Sequence, residues 1–153
     1  MILRPLWSAL ALLVLAVAGR AGEDELSRYE HVVVDPAKSS IYVGSVTMSL
    51  SPATRQNAAY ECTYTAKIFP YFFMSETGRL HLDAPDETLG RLARGESVAF
   101  NGYGVSADGQ KRRFEGQATP TDAASGRLKV RCFVSKRISL AFDMRYRFTP
   151  AVK

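Results

Sequence analysis

The side chains with which this chain could do chemistry are few, and the histidines are the first to consider because imidazole is the commonest metal ligand. The 153-residue sequence has two, His31 and His81, and neither has a second ligand at a spacing that metal sites use. His81 and Asp83 share one face of an extended segment, so this pair could orient the imidazole ring. Because two ligands are too few for a site, we predict no bound metal.

Nucleophilic catalysis needs an activated serine or cysteine beside a base, and the chain shows no such arrangement. It has no Gly-x-Ser-x-Gly motif. Gly102 and Gly104 form a Gly-x-Gly pair, but a strand rather than a helix follows, so a phosphate-binding loop is not indicated. These glycines instead indicate a bend in the sheet or room for a neighbouring aromatic ring. We predict a non-enzymatic protein without a cofactor.

The first 22 residues have the three-part layout of a secretory signal peptide. Arg4 precedes an apolar run over residues 6–18, and small residues offer cleavage after Ala18 or Gly22. A membrane anchor is the alternative, but the apolar run is shorter than the ~20 residues that cross a bilayer. We therefore expect residues 23–153 to form one exported domain, periplasmic or extracellular, with no membrane span.

The two cysteines, Cys62 and Cys132, gain significance from that predicted export. An even number of cysteines in an oxidising compartment favours a disulfide. Both residues fall on the apolar sides of their segments, so a bridge would join distant strands through the interior. Two buried free thiols are the alternative, because an unpaired cysteine behaves as a small apolar residue. We predict the disulfide.

Alternation of apolar and polar residues predicts strands along most of the exported part. The clearest are residues 59–69 and 138–148, where nearly every second residue is apolar. Six further segments bring the total to about eight strands: 31–34, 40–50, 78–82, 97–105, 112–118 and 127–134. Asp108-Gly109 suits a tight hairpin. One short helix is predicted near 85–94, because Pro85 can open it and Gly95 can cap its end.

Each predicted strand has one apolar face, and the short connections favour antiparallel neighbours. Such a sheet must close on itself or fold into two layers. We therefore predict an all-β fold of about eight strands, an antiparallel meander that closes as a barrel, with a β-sandwich as the alternative. In an outer-membrane barrel Glu61 and Lys67 would face lipid, which disfavours that arrangement.

Residues 34–41 read Val-Asp-Pro-Ala-Lys-Ser-Ser-Ile, residues 100–105 read Phe-Asn-Gly-Tyr-Gly-Val, and residues 114–116 read Phe-Glu-Gly. The first stretch resembles the start of bacterial YceI-like proteins, where an Asp precedes a Ser-Ser-hydrophobic step into a long strand. The other two are similar to Gly-containing strands in the second half of that family. The resemblance implies an eight-stranded, lipocalin-like barrel in the periplasm. It also implies an elongated apolar cavity for an isoprenoid or a similar lipid.

Bulky side chains on the inward faces of the predicted strands are candidates to line a ligand cavity. They are Tyr60, Tyr64, Ile68, Phe100, Phe114, Phe142 and Tyr146. A cavity among them would hold an apolar small molecule, positioned by the tyrosine hydroxyls. A filled core is the alternative, because an eight-stranded barrel is just wide enough for side chains to fill it.

Five consecutive residues without charge, Phe69-Pro70-Tyr71-Phe72-Phe73, cannot all face one interior. If part of this run is exposed, it forms an apolar patch of the kind that binds partners. Two functional hypotheses therefore stand side by side. The first is a binding protein that holds a hydrophobic small molecule in the barrel. The second is a solid-core structural or protein-interaction domain that acts through Phe69, Tyr71, Phe72 and Phe73.

The charge of the chain is mildly positive. Its formal value of +5 falls to +3 if Arg4 and Arg20 leave with the signal peptide. Lysine and arginine are spread along the sequence, and residues 111–113 are the one tight cationic run. A nucleic-acid-binding face needs a concentrated basic patch, so we predict no nucleic-acid partner. The sequence identifies no protein partner.

Overall fold

Ten strands and one helix make up the part of the chain that the computed structural model describes, residues 27–149. The first five strands are β1 (His31–Val34), β2 (Ala37–Ile41), β3 (Gly44–Leu50), β4 (Ala53–Gln56) and β5 (Ala59–Phe69). The rest of the barrel is β6 (Glu76–Asp83), helix α1 (Asp86–Ala93), β7 (Val98–Ser106), β8 (Lys111–Pro120), β9 (Ser125–Phe133) and β10 (Ser139–Thr149).

The sheet closes into an eight-membered antiparallel ring. Ten strands make eight members because two members each consist of two consecutive strands. β3 and β4 form one such member, since both pair with β5. β1 and β2 form the other, since β1 pairs with β4 and β10 while β2 pairs with β3. The interruptions fall at Asp35-Pro36 and at Ser51-Pro52, because proline lacks the N–H that a continuous ladder requires. β5 also pairs with β6, and β1 with β10, which completes the ring. The predicted all-β barrel meander is confirmed, and the sandwich alternative is excluded.

One predicted strand is wrong in detail. Residues 40–50 are not continuous, because Tyr42 and Val43 form a turn between β2 and β3. Gly44, at the start of β3, has a φ of +120°, a conformation that favours glycine. A Cβ atom there would also lie 1.9 Å from the carbonyl oxygen of Phe69. Glycine is therefore required for this hairpin to pack against β5.

Connections alternate between the two ends of the ring, because the strands form an antiparallel meander. One end, which we call the hairpin end, carries the connections 42–43, 70–75, 107–110 and 134–138. The opposite end, which we call the helix end, carries 57–58, 84–97 and 121–124. Helix α1 belongs to the second set, whereas the 3₁₀ turn Phe72–Met74 belongs to the first.

Helix α1 confirms the predicted helix, and its boundaries follow from the residues named for it. Pro85 stands at the N-cap, two acidic residues occupy the first turn, and Gly95 follows the helix with a φ of +80°. The guanidinium of Arg55 on β4 bonds the Ala84 carbonyl oxygen and the Asp86 carboxylate. Leu89 is buried beneath the helix. These contacts hold α1 across the helix end.

The barrel interior follows the predicted alternation. On β10, Phe142, Met144 and Tyr146 are buried, while the charged residues between them are exposed. Gly104 on β7 makes room for neighbouring rings, one of the roles that the sequence predicts for it. A Cβ atom there would lie 2.9 Å from the Phe114 ring and 3.0 Å from the Tyr64 ring. The interior is thus packed closely enough that one methyl group would not fit at this position.

Candidate functional site

The hairpin-end half of the barrel interior is filled by side chains. Tyr64, Phe114 and Phe142 are almost completely buried, and the Tyr64 and Phe114 rings meet edge to face with centroids 6.0 Å apart. Ile68 is partly buried against them. These four residues were predicted to line a ligand cavity, and they instead form the close-packed core of this half.

A small apolar cavity lies in the other half, beneath α1. Its volume is about 80 Å³, and Tyr60, Phe100 and Tyr146 from the predicted set border it. Leu89 and Leu92 of the helix close it from the end, a contribution that the strand pattern alone did not reveal. Ligand pockets for drug-sized molecules usually measure ~300–1,000 Å³. In this structure the cavity is therefore smaller than such a pocket.

A satisfied cluster of polar groups lies inside the barrel near the hairpin end. The Tyr64 hydroxyl donates to the Glu76 carboxylate at 3.1 Å, and the Arg112 guanidinium lies 3.4 Å from the same carboxylate. Arg112 also donates to the Val134 carbonyl oxygen. Burial, together with the negative charge of Glu76, raises the pKa of Tyr64. These bonds join β5, β6 and β8 to the end of β9 and seal the interior.

The predicted Cys62–Cys132 disulfide is wrong, because both cysteines are free thiols. They lie on β5 and β9, which are four strands apart in a ring of eight and therefore on opposite walls. The walls of a packed core are about 10 Å apart, whereas a disulfide requires Cα atoms within ~7 Å. Burial raises the pKa of each thiol to about 11. Such thiols are unreactive at neutral pH.

The predicted pair His81 and Asp83 lies on the outer wall, with Glu61 on the opposite side of the imidazole. Nδ1 of His81 is 3.3 Å from Glu61 and Nε2 is 3.4 Å from Asp83, and the ring stacks on Tyr103. His31 contacts the Thr54 hydroxyl. Among residues 27–149, no group of three or more histidine, cysteine, aspartate or glutamate side chains is arranged to hold a metal ion.

The predicted aromatic run is exposed, and the turn between β2 and β3 extends it. Phe73 is 85% exposed and Phe72 62%, while Tyr42 is fully exposed. Together they belong to what we call the hairpin-end surface: Tyr42, Val43, Phe69, Tyr71, Phe72, Phe73, Met74, Val134 and Ile138. Of the ten large apolar side chains exposed in the described part of the chain, only Tyr103 lies elsewhere. Ile138, the first residue of the predicted strand 138–148, lies just before β10 and is exposed.

Comparison with known protein families, with curated proteins and with solved structures finds no match to this chain. No helix in residues 27–149 is long and apolar enough to cross a membrane. The predicted signal peptide, residues 1–22, lies outside the described residues. The features available to indicate a function are therefore the barrel, its small cavity and the hairpin-end surface.

Proposed function

We propose that this protein is an exported, non-enzymatic docking module that binds its partner through the hairpin-end surface. The main support is that large apolar side chains are exposed together at one end of the barrel, and that the core is complete without them. Soluble domains rarely expose contiguous apolar patches beyond a few hundred Å², and larger ones mark interaction sites. The proposed export rests on the signal-peptide layout of residues 1–22.

The contacts around this surface support a binding role over a structural one. Phe69 and Phe72 meet edge to face at 5.7 Å, as do Tyr71 and Phe73 at 6.1 Å. These pairs stiffen the connection without burying its rings, because Phe72 and Phe73 stay mostly exposed. Rigid, exposed aromatic rings lose little conformational entropy when a partner covers them.

Site-directed photo-crosslinking tests this proposal. A photoreactive phenylalanine analogue at position 73 is expected to form adducts in the cells that express the protein. The same analogue at Tyr103, which is exposed on the outer wall, is the matched control and is expected to form few. Adding Phe72→Ser should reduce the adducts at position 73 without lowering the melting temperature. Equal labelling at both positions, or none at position 73, would contradict the proposal.

A second candidate function is the binding of a small apolar molecule in the cavity beneath α1. Its apolar lining and the resemblance to YceI-like barrels favour this function. Leu89→Ala should enlarge the cavity, destabilise the fold by about 2–5 kcal/mol, and allow benzene to raise the melting temperature of the variant. Uptake of an acyl or isoprenoid probe by the unsubstituted protein would favour this candidate. A protein that purifies empty and takes up no such probe would count against it.

A further inference from the structure

Unpaired positive charge surrounds the hairpin-end surface. The exposed cations near it include Lys67, Lys111, Lys136 and Arg137, none of which pairs with a carboxylate of the described chain. The exposed carboxylate in the hairpin-end connections is that of Asp108. Glu76 also lies at this end, but it is half-buried and tied to Arg112 and Tyr64. Cations free of local partners are available to an anionic surface.

The helix end has more exposed carboxylates, together with exposed arginines. Its exposed carboxylates belong to Asp83, Asp86, Glu87, Glu96 and Asp122. Arg91 and Arg94 both lie close to the single carboxylate of Glu96, and Arg28 and Arg147 are further exposed cations at this end. In the described barrel, exposed carboxylates are therefore concentrated where α1 lies and are scarce where the aromatic rings are exposed. An anionic plane repels those carboxylates, which favours the orientation with the rings facing that plane.

We propose that the partner covering the hairpin-end surface is an anionic lipid bilayer, an inference that rests on the proposed function. Aromatic rings partition into the headgroup region of a bilayer, and lysine and arginine beside them contact lipid phosphates. The apolar side chains project from three separate connections, 42–43, 70–75 and 134–138. Such projecting side chains can enter a fluid interface without a complementary rigid surface. A protein partner would instead have to match several loop tips at once.

The expected losses of vesicle binding follow from the electrostatic contribution of the cations and the apolar contribution of the rings. Each cation close to an anionic membrane surface strengthens binding about fivefold. Removing Lys136 and Arg137 together should therefore weaken binding roughly 10- to 30-fold. Withdrawing one phenylalanine ring from the interface should weaken it about tenfold or more. Raising the ionic strength from about 0.1 M to about 1 M shortens the screening length from ~10 Å to ~3 Å, so binding should fall steeply with salt.

The test is co-sedimentation of the protein, recovered in its exported form from expressing cells, with vesicles of two compositions. One is phosphatidylcholine alone, and the other contains about 30% phosphatidylglycerol to supply negative charge. The substituted proteins are Phe72→Ser/Phe73→Ser and Lys136→Gln/Arg137→Gln. Matched controls are Tyr103→Ser on the outer wall and Arg91→Gln/Arg94→Gln at the helix end. All share the same N-terminus, so differences among them report on the barrel, and circular dichroism melts verify that each is folded.

We expect the unsubstituted protein to bind the anionic vesicles and not those of phosphatidylcholine alone. Both hairpin-end variants should lose this binding, and both controls should keep it within about twofold. A second reporter is Phe73→Trp, whose fluorescence should be quenched by brominated lipid, whereas that of Tyr103→Trp should not. Equal binding to both vesicle types, no binding, or equal loss in the controls would overturn the inference. If position 73 nevertheless crosslinks to a protein or to a second copy of the chain, the proposed function stands without the bilayer. If it crosslinks to nothing, both fail.

Discussion

Truncating two phenylalanines to alanine, one inside the barrel and one on the hairpin-end surface, should have very different effects on stability. Phe114 is 2% exposed and Phe73 is 85% exposed. A fully covered phenylalanine buries about 150–250 Å², so Phe73 buries roughly 30 Å² and contributes less than ~1 kcal/mol at ~25 cal/mol per Å². Phe114→Ala removes a packed ring and should cost about 3–5 kcal/mol.

Urea unfolding followed by circular dichroism measures this difference. With a slope of ~2 kcal/mol per molar urea, the midpoint of Phe114→Ala should fall by about 1.5–2.5 M. The midpoint of Phe73→Ala should change by less than about 0.5 M, with an unchanged slope. A loss for Phe73→Ala as large as that for Phe114→Ala would show that the exposed rings belong to the core. The argument for a docking surface would then be refuted.

Three further predictions follow from the same structure. Gly104→Ala should cost about 1–3 kcal/mol because its methyl group meets two packed rings. Gly90→Ala in α1 should instead stabilise by about 0.5–1 kcal/mol in thermal melts, because its methyl group would meet only the Arg94 guanidinium, at 3.7 Å. Thiol titration without reductant should find two free thiols per chain after denaturation and slow reaction before it; a single bridged pair would contradict the free state of Cys62 and Cys132. Stability should decline as the pH rises from about 9 towards 12. Burial raises the pKa of each thiol from 9.0 to about 11 and that of Tyr146 from 10.0 to about 12, so the unfolded chain loses these protons first. Tyr146→Phe should therefore flatten the decline in a pH series of melts.

The fold was largely predictable because strand alternation records which side of the sheet each residue occupies. Once eight segments each had one apolar face, the need to bury those faces together left a closed barrel or a two-layer sandwich. The turn at Tyr42 and Val43 was missed because β-branched and aromatic residues there continue the strand composition. Gly44 was the available signal, since a glycine inside a strand often marks a break in it.

The site was less predictable, because alternation does not report depth along the barrel axis. Tyr60 and Tyr64 have the same inward orientation, yet Tyr60 borders the cavity and Tyr64 lies in the filled half. The difference depends on α1, whose Leu89 and Leu92 reach one half only. For the cysteines, by contrast, the sequence already held the relevant information. Cys62 lies on the third and Cys132 on the seventh of the eight predicted strands, so their places on opposite walls already argued against a disulfide.

The stability of this barrel does not depend on the exposed aromatic rings, because a polar cluster closes the hairpin end. Arg112, Glu76 and the Tyr64 hydroxyl satisfy one another beneath that end, and the Tyr64 ring packs on Phe114 above a complete core. The rings of residues 69–73 are therefore not needed to exclude water from the interior. Exposed apolar side chains promote aggregation, so their concentration at one end, amid unpaired cations, is best accounted for by a partner that covers them.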